Sequence, residues 1–262
     1  MNYSLLGVLL ALIGFAIGCG ATNDKVEASP PTGSPLGTAV GKSNIEISPI
    51  THATFILRAG QHVVYNDPVG GSDAFANHPA PTLVLVSDIH GDHLDSTTLE
   101  QIVKDSVQLV VPRAVAERLS PKLAAKAYVL ENGDELDLDD ISITAIPMYN
   151  LRQEALQFHP KGRGNGYLIE VSGERIYIAG DTEGIPEMTQ LKNIDRAFIP
   201  MNLPYTMPVD AAAEAVIAFA PRKVYPYHFR GKSGLSDTAA FRRIIGESNV
   251  DTELVALDWY SE

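Results

Sequence analysis

The sequence predicts a layered α/β domain over residues 44–262, and three observations carry that reading. A continuous apolar run at 82–86, Thr-Leu-Val-Leu-Val, has the composition of a strand buried on both faces. Strand-like and helix-like segments alternate along much of the chain after it. The span itself is of a size that one layered unit fills.

The first 43 residues are of another kind. An apolar run at 5–17 is too short for a comfortable membrane span of about 20 residues and reads as the core of a signal peptide. Its end, Ala16-Ile17-Gly18-Cys19, resembles a bacterial lipobox, and Cys19 is the only cysteine in the chain. An unpaired thiol is otherwise awkward in an exported protein. The expectation is a signal peptide over 1–19 with Cys19 lipidated, and an exported, membrane-anchored lipoprotein facing periplasm or cell exterior. Residues 20–43, rich in Pro, Ser and Gly, read as a disordered tether. The net charge of −12 argues against nucleic acid or an anionic lipid surface as the main partner. Contact with a membrane is therefore expected only through the lipid anchor. With no pair of cysteines, stability has to come from the core and any bound metal.

Within the domain, short strands at 45–48, 54–58 and 62–66 form a meander, the last two joined through Ala59-Gly60-Gln61. After the 82–86 strand, N-cap candidates including Thr97, with Glu100 three residues on, announce a helix over 97–104. Strand 107–111, helix 112–119 with Pro112 in its first turn, and strand 127–130 continue the alternation. The acidic stretch 134–140 reads as a solvated hairpin edge beside strand 141–146, since it lacks the spacing of a calcium loop. Gly164-Asn165-Gly166 reads as a tight turn into strand 167–171, which pairs with 175–179 through Ser172-Gly173-Glu174. Then come a short helix within 183–192, strand 194–200, an Ala-rich helix at 210–219, strand 224–228, helix 237–246 and strand 253–257.

The densest group of metal-capable side chains is Ser87-Asp88-Ile89-His90-Gly91-Asp92-His93, on the loop leaving the 82–86 strand. Layered α/β folds present ligands and catalytic groups at such strand ends. Two imidazoles and two carboxylates on one tight loop suit a divalent cation, and without thiolate the donors fit zinc, manganese or iron. On spacing alone, a solvated polar turn that binds nothing is also open.

The loop resembles the signature of the metallo-β-lactamase superfamily, a His-x-His-x-Asp-His run after a strand, with Asp88 standing where that pattern has its first His. Gly180-Asp181-Thr182 resembles the second signature, and His228 at a strand end resembles the last histidine. Thr51-His52 and Asp67-Pro68 resemble positions of the lactonase-like branch, related to ascorbate-6-phosphate lactonase and N-acylphosphatidylethanolamine phospholipase D. That branch often places a His near Tyr149, where this chain has Asn150, and His159 is the candidate replacement.

The resemblance implies a four-layer αββα sandwich with one or two divalent ions. Zinc is the ion the family implies; the Asp88 carboxylate adds negative charge and a harder donor, which favours manganese or iron. The implied ligands are Asp92, His93, Asp181 and His228 at one position, and Asp88, His90, Asp181 and His159 at the other. Asp92 would orient a metal-activated water or accept its proton, and Asn165 and Tyr205 are candidates for substrate contact. The expected activity is hydrolysis of an ester, lactone or phosphodiester of a small molecule. Arg152, Lys161, Arg163 and Arg230 are candidates to receive an anionic group. The alternative is a tethered metal- or ligand-binding protein of the same fold without turnover.

Overall fold

The computed structural model describes residues 44–260. The segments expected as signal peptide (1–19, with Cys19) and tether (20–43) lie outside the described residues. The first sheet begins as an antiparallel meander of β1 (Ile45–Thr51), β2 (Thr54–Ala59) and β3 (His62–Asn66). It continues in parallel through β4 (Leu83–Leu85), β5 (Gln108–Val111) and β6 (Ala127–Val129). Helices α1 (Ser96–Ile102), α2 (Arg113–Ala116) and α3 (Pro121–Ala124) make the crossovers. The N-cap of α1 is Asp95, whose carboxylate accepts from the amides of Thr97 and Thr98, so helix entry lies two residues before the expected Thr97.

The second sheet has the order β15-β12-β11-β10-β9-β8-β7. Strands β7 (Glu135–Leu138), β8 (Ile141–Met148), β9 (Gly164–Val171) and β10 (Glu174–Ile178) form a successive antiparallel run. After α4 (Pro186–Thr189), β11 (Arg196–Pro200) joins β10 in parallel. Then follow α5 (Val209–Phe219), β12 (Lys223–Tyr227), a small hairpin of β13 (Arg230–Gly231) and β14 (Gly234–Leu235), α6 (Thr238–Gly246) and β15 (Glu253–Leu254). Among the described residues no helix is long and apolar enough to cross a membrane.

Period-two alternation sorts the apolar residues into three buried layers. Phe55 and Leu57 of β2 face Ile143, Tyr167, Ile176 and Phe198 of the other sheet. Their neighbour Ile56 turns outward onto Leu99 of α1, Val115 of α2 and Leu123 of α3. On the opposite side Leu168, Tyr177 and Ala197 turn outward onto Met188, Val216 and Phe241 of the three later helices. The two sheets therefore face each other across one core, each covered outside by helices, which is the αββα sandwich. Phe55 and Phe198 stack across the core with centroids 4.3 Å apart. Buried on both faces, these strands show the continuous apolar composition seen in sequence rather than half-polar alternation.

Gly164-Asn165-Gly166 is not a turn. All three residues belong to β9 and pair with Met148, Pro147 and Ile146 of β8. A Cβ on Gly166 would stand 2.6 Å from the carbonyl oxygen of Ala179, so this glycine serves close backbone approach rather than chain reversal.

Candidate metal centre

Four segments converge on one edge of the sandwich, each leaving the carboxyl end of a strand: 87–93 after β4, the long β8–β9 loop bearing His159, 180–182 after β10, and His228 after β12. The first loop curls tightly, the amides of His93 and Leu94 both donating to the carbonyl of His90. Two donor sets result, sharing Asp181.

In the second position, Nε2 of His228 lies 3.3 Å from Oδ2 of Asp92, from Oδ1 of Asp181 and from Nε2 of His93. Nε2 of His93 lies 3.5 Å from Oδ2 of Asp181. In the first position, Nε2 of His159 lies 3.3 Å from Oδ2 of Asp181 and 3.9 Å from Oδ2 of Asp88, which in turn is 2.7 Å from Nδ1 of His90. The sequence-implied ligands are thus gathered into two adjoining clusters, and His159 does reach in from the inserted loop.

The chemistry and spacing of these donors fit divalent ions. Donors bonded at about 2.0–2.1 Å to one tetrahedral ion stand roughly 3.3–3.5 Å apart, the spacing of the second position and of His159 and Asp181 in the first, where Nδ1 of His90 and Oδ2 of Asp88 are instead at hydrogen-bond distance. Nε2 of His159 and Oδ1 of Asp181 are buried without a hydrogen-bond partner among the described residues. Such a loss costs about 1–3 kcal/mol per group unless something else takes the lone pair.

Neighbouring groups aim the donors. Oδ2 of Asp67 accepts from Nδ1 of His93 at 2.9 Å, which leaves Nε2 of that ring free for the centre. The same carboxylate accepts from the Ser87 amide at 2.6 Å and the Ser87 hydroxyl at 2.7 Å, so one side chain fixes both the ring and the start of the loop. His159 donates from Nδ1 to the carbonyl of Tyr205 at 3.1 Å, again freeing Nε2. The backbone amide of Asn150, just after β8, donates to the His159 carbonyl at 2.9 Å and holds that residue in place. The side-chain amide of Asn202 lies 3.3 Å from Nδ1 of His228. Three non-glycine residues around the centre, His52, Asp67 and His228, hold left-handed backbone with φ of 47°, 44° and 45°. Such conformations persist where surrounding structure over-determines them.

The electrostatics favour a cation. Burial alone would raise the Asp181 carboxyl, but the His228 and His93 imidazoles beside it hold it well below the usual carboxylate range. Burial pushes His93 down, and the Asp181 and Asp67 carboxylates outweigh it, raising the imidazole well above its ordinary value. Binding of a divalent ion at Nε2 of His93 would displace that proton.

Several sequence expectations need correction. Asn165 does not face substrate: it is buried, and its amide donates to the Leu130 carbonyl while its oxygen accepts from Asn132. Three of the four cations considered for an anionic group are already engaged. Arg152 pairs with Glu183 at 2.7 Å, Lys161 with Glu187 at 2.7 Å, and Arg163 with Asp88 at 2.9 Å. The last pair also cancels the extra negative charge expected from Asp88. Two residues left out of the sequence-stated ligand and substrate sets belong to the site. His52 lines its cavity, with Nδ1 buried and unpartnered among the described residues, and burial together with His228 lowers its pKa. Asp67 holds His93 as described. The Thr-His and Asp-Pro pairs were the available signals for both.

The cavity in front of the donors has a volume of about 440 Å³. Residues 46–228 match the β-lactamase superfamily domain across most of the described chain, including both signature loops and the final histidine. The chain belongs to the metallo-β-lactamase superfamily. In this superfamily its relatives include a UPF0173 metal-dependent hydrolase of Thermococcus kodakarensis, 26% identical over 211 residues, covering 78% of this chain and 93% of the relative. A UPF0173 metal-dependent hydrolase of Pyrococcus horikoshii is 26% identical over 213 residues with the same coverage. Among solved structures, a candidate metal-dependent hydrolase from Parabacteroides distasonis superposes with a TM-score of 0.71 at 34% identity, covering 80% of this chain and 92% of that one. The metallo hydrolase Igni18 of Ignicoccus hospitalis, at 18% identity and a TM-score of 0.67 over 81% of this chain and 94% of its own, shows the fold alone. The metallo-β-lactamase fold and the class of metal-dependent hydrolase expected from sequence are both borne out.

Proposed function

We propose that this metallo-β-lactamase superfamily member hydrolyses an ester, lactone or phosphodiester of a small anionic molecule. One observation supports the anionic character above the others. Arg230 and Lys232 line the same cavity as the donor clusters, and neither pairs with a carboxylate among the described residues, whereas Arg152, Lys161 and Arg163 all do. Arg230 is held over the ring of Tyr260, 4.6 Å from its centroid, which positions the guanidinium without neutralising it.

Divalent ions in the two positions, with zinc, manganese and iron all suited to the donors, would supply Lewis acidity and a nucleophilic water near neutral pH. The chain's own residues do the rest. Asp92, which lines the cavity with its side chain partly exposed beside His228, would orient that water and take its proton. Tyr205 packs edge-to-face on Phe158, centroids 5.2 Å apart, forming an aromatic wall for the uncharged part of the substrate. Arg230 and Lys232 fix the anionic end in the same cavity that Asp181 lines.

The test is a panel of p-nitrophenyl esters, lactones and bis(p-nitrophenyl) phosphate, each assayed before chelation, after it, and after metal is restored. Turnover should vanish with chelator and return with metal. Arg230→Gln should raise KM for anionic substrates about 10-fold, the worth of one charged hydrogen bond, while leaving neutral ones within about twofold. Protein that takes up metal fully yet turns over no substrate of any class would instead favour a binding protein of the same fold.

A further inference from the structure

The first metal position is unusual in its donors, and one side chain answers for that. Asp88 is fully buried, and its carboxylate is clamped by Arg163: Nε donates to Oδ1 at 3.0 Å and Nη2 to Oδ2 at 2.9 Å. A bidentate pair of this kind is both strong and geometrically specific. The same guanidinium also donates to the carbonyl of Phe158, the residue immediately before His159. Arg163 and His159 therefore come from one segment, the long β8–β9 loop, and both act on the first position.

We infer that Asp88 and Arg163 form a single functional unit, a neutral ion pair that takes the place of a neutral imidazole, and that the β8–β9 loop supplies this counter-charge together with the replacement ligand His159. This inference rests on the donor sets assigned above, not on which substrate is hydrolysed. The physical case is a matter of charge and geometry. A buried carboxylate without a partner is costly, and a guanidinium without one beside a cation site repels the ion. Joined, the two present an oxygen donor of fixed direction without adding net charge. Arg163 is a positioning residue: it aims Asp88 at the site and does not itself touch substrate.

The pairing makes a prediction that independent residues would not. Asp88→His leaves a lone guanidinium beside the first position, and Arg163→Gln leaves a buried carboxylate that has lost two of its hydrogen bonds. Each single variant should bind the first ion at least about 10-fold more weakly. The double variant D88H/R163Q, with a neutral imidazole and no unpaired cation, should recover to within about threefold of the parent protein.

The measurement is metal stoichiometry by mass spectrometry and competition with a chelator of known affinity, on purified full-length protein loaded with zinc or manganese alone. Retention of the ion at Asp92, His93, Asp181 and His228 serves as the internal check that each variant is folded, and the readout does not depend on turnover. Losses that multiply in the double variant would overturn the inference, as would an Asp88→His protein with parental affinity or an Arg163→Gln protein that binds more tightly. If Asp88→His loses both ions, Arg163→Lys carries the test. It keeps the charge but not the two-point clamp and should lose less affinity than Arg163→Gln, so a loss equal to that of Arg163→Gln would overturn the charge-pair reading.

Discussion

Replacing Asp181 with alanine is expected to remove bound metal and hydrolysis together. This carboxylate is shared: Oδ1 faces His228 and Oδ2 faces both His93 and His159. Its loss removes the group common to both positions and leaves three imidazoles without the negative charge that favours an ion among them. The expected decrease exceeds about 100-fold in affinity at each position, since even neighbouring groups that only orient ligands cost 10–100-fold when mutated. Asp181→Asn, nearly isosteric, separates charge from shape and should fall close to alanine if charge dominates. Metal content and turnover measured on the same preparation decide the matter. Full activity in either variant would refute the centre as described.

The second large effect is expected at a residue that touches no metal. Asp67→Ala would strip the acceptor from Nδ1 of His93 and from both the amide and hydroxyl of Ser87, all of them buried. Leaving such donors unsatisfied costs about 1–3 kcal/mol apiece, and the His93 ring would lose the contact that fixes its tautomer and direction. Affinity at the second position should drop about 10–100-fold, and the metal-free protein should lose stability by about 3 kcal/mol. Chemical denaturation in the presence of chelator reads the second effect, and metal competition reads the first. Parental metal affinity in this variant would show that His93 is oriented by its own loop alone.

The parts of this site that sequence revealed were those with local signals. The apolar run of β4, the tight loop after it, the Gly-Asp-Thr at the end of β10 and the histidine ending β12 each combine a strand with chemistry at its carboxyl end. Contacts over long separations left no such mark. Nothing in composition says that Arg163 meets Asp88 75 residues away rather than an anionic ligand, or that Arg152 belongs to Glu183. Gly164 to Gly166 misled for a related reason. Glycines that permit close approach of backbones look, in sequence, like glycines that permit a turn. His159 was legible only because its strand-end counterpart was missing at Asn150, a gap that a family pattern exposes and periodicity does not.

The placement of the donors has a mechanical corollary. His52, Asp67 and the 88–93 loop belong to one sheet, while His159, Asp181 and His228 belong to the other. Ions held between them would act as rivets through the open edge of the sandwich, in a domain whose described residues include no cysteine to do the same. An ion at 100 times its dissociation constant adds about 2.7 kcal/mol to folding, enough to move the midpoint of a domain this size by several degrees. Melting temperature should therefore follow free metal concentration, and calorimetry across a buffered metal series would register the two rivets as successive increments. On this reading the supply of metal would set how stable the fold is as well as how fast it works.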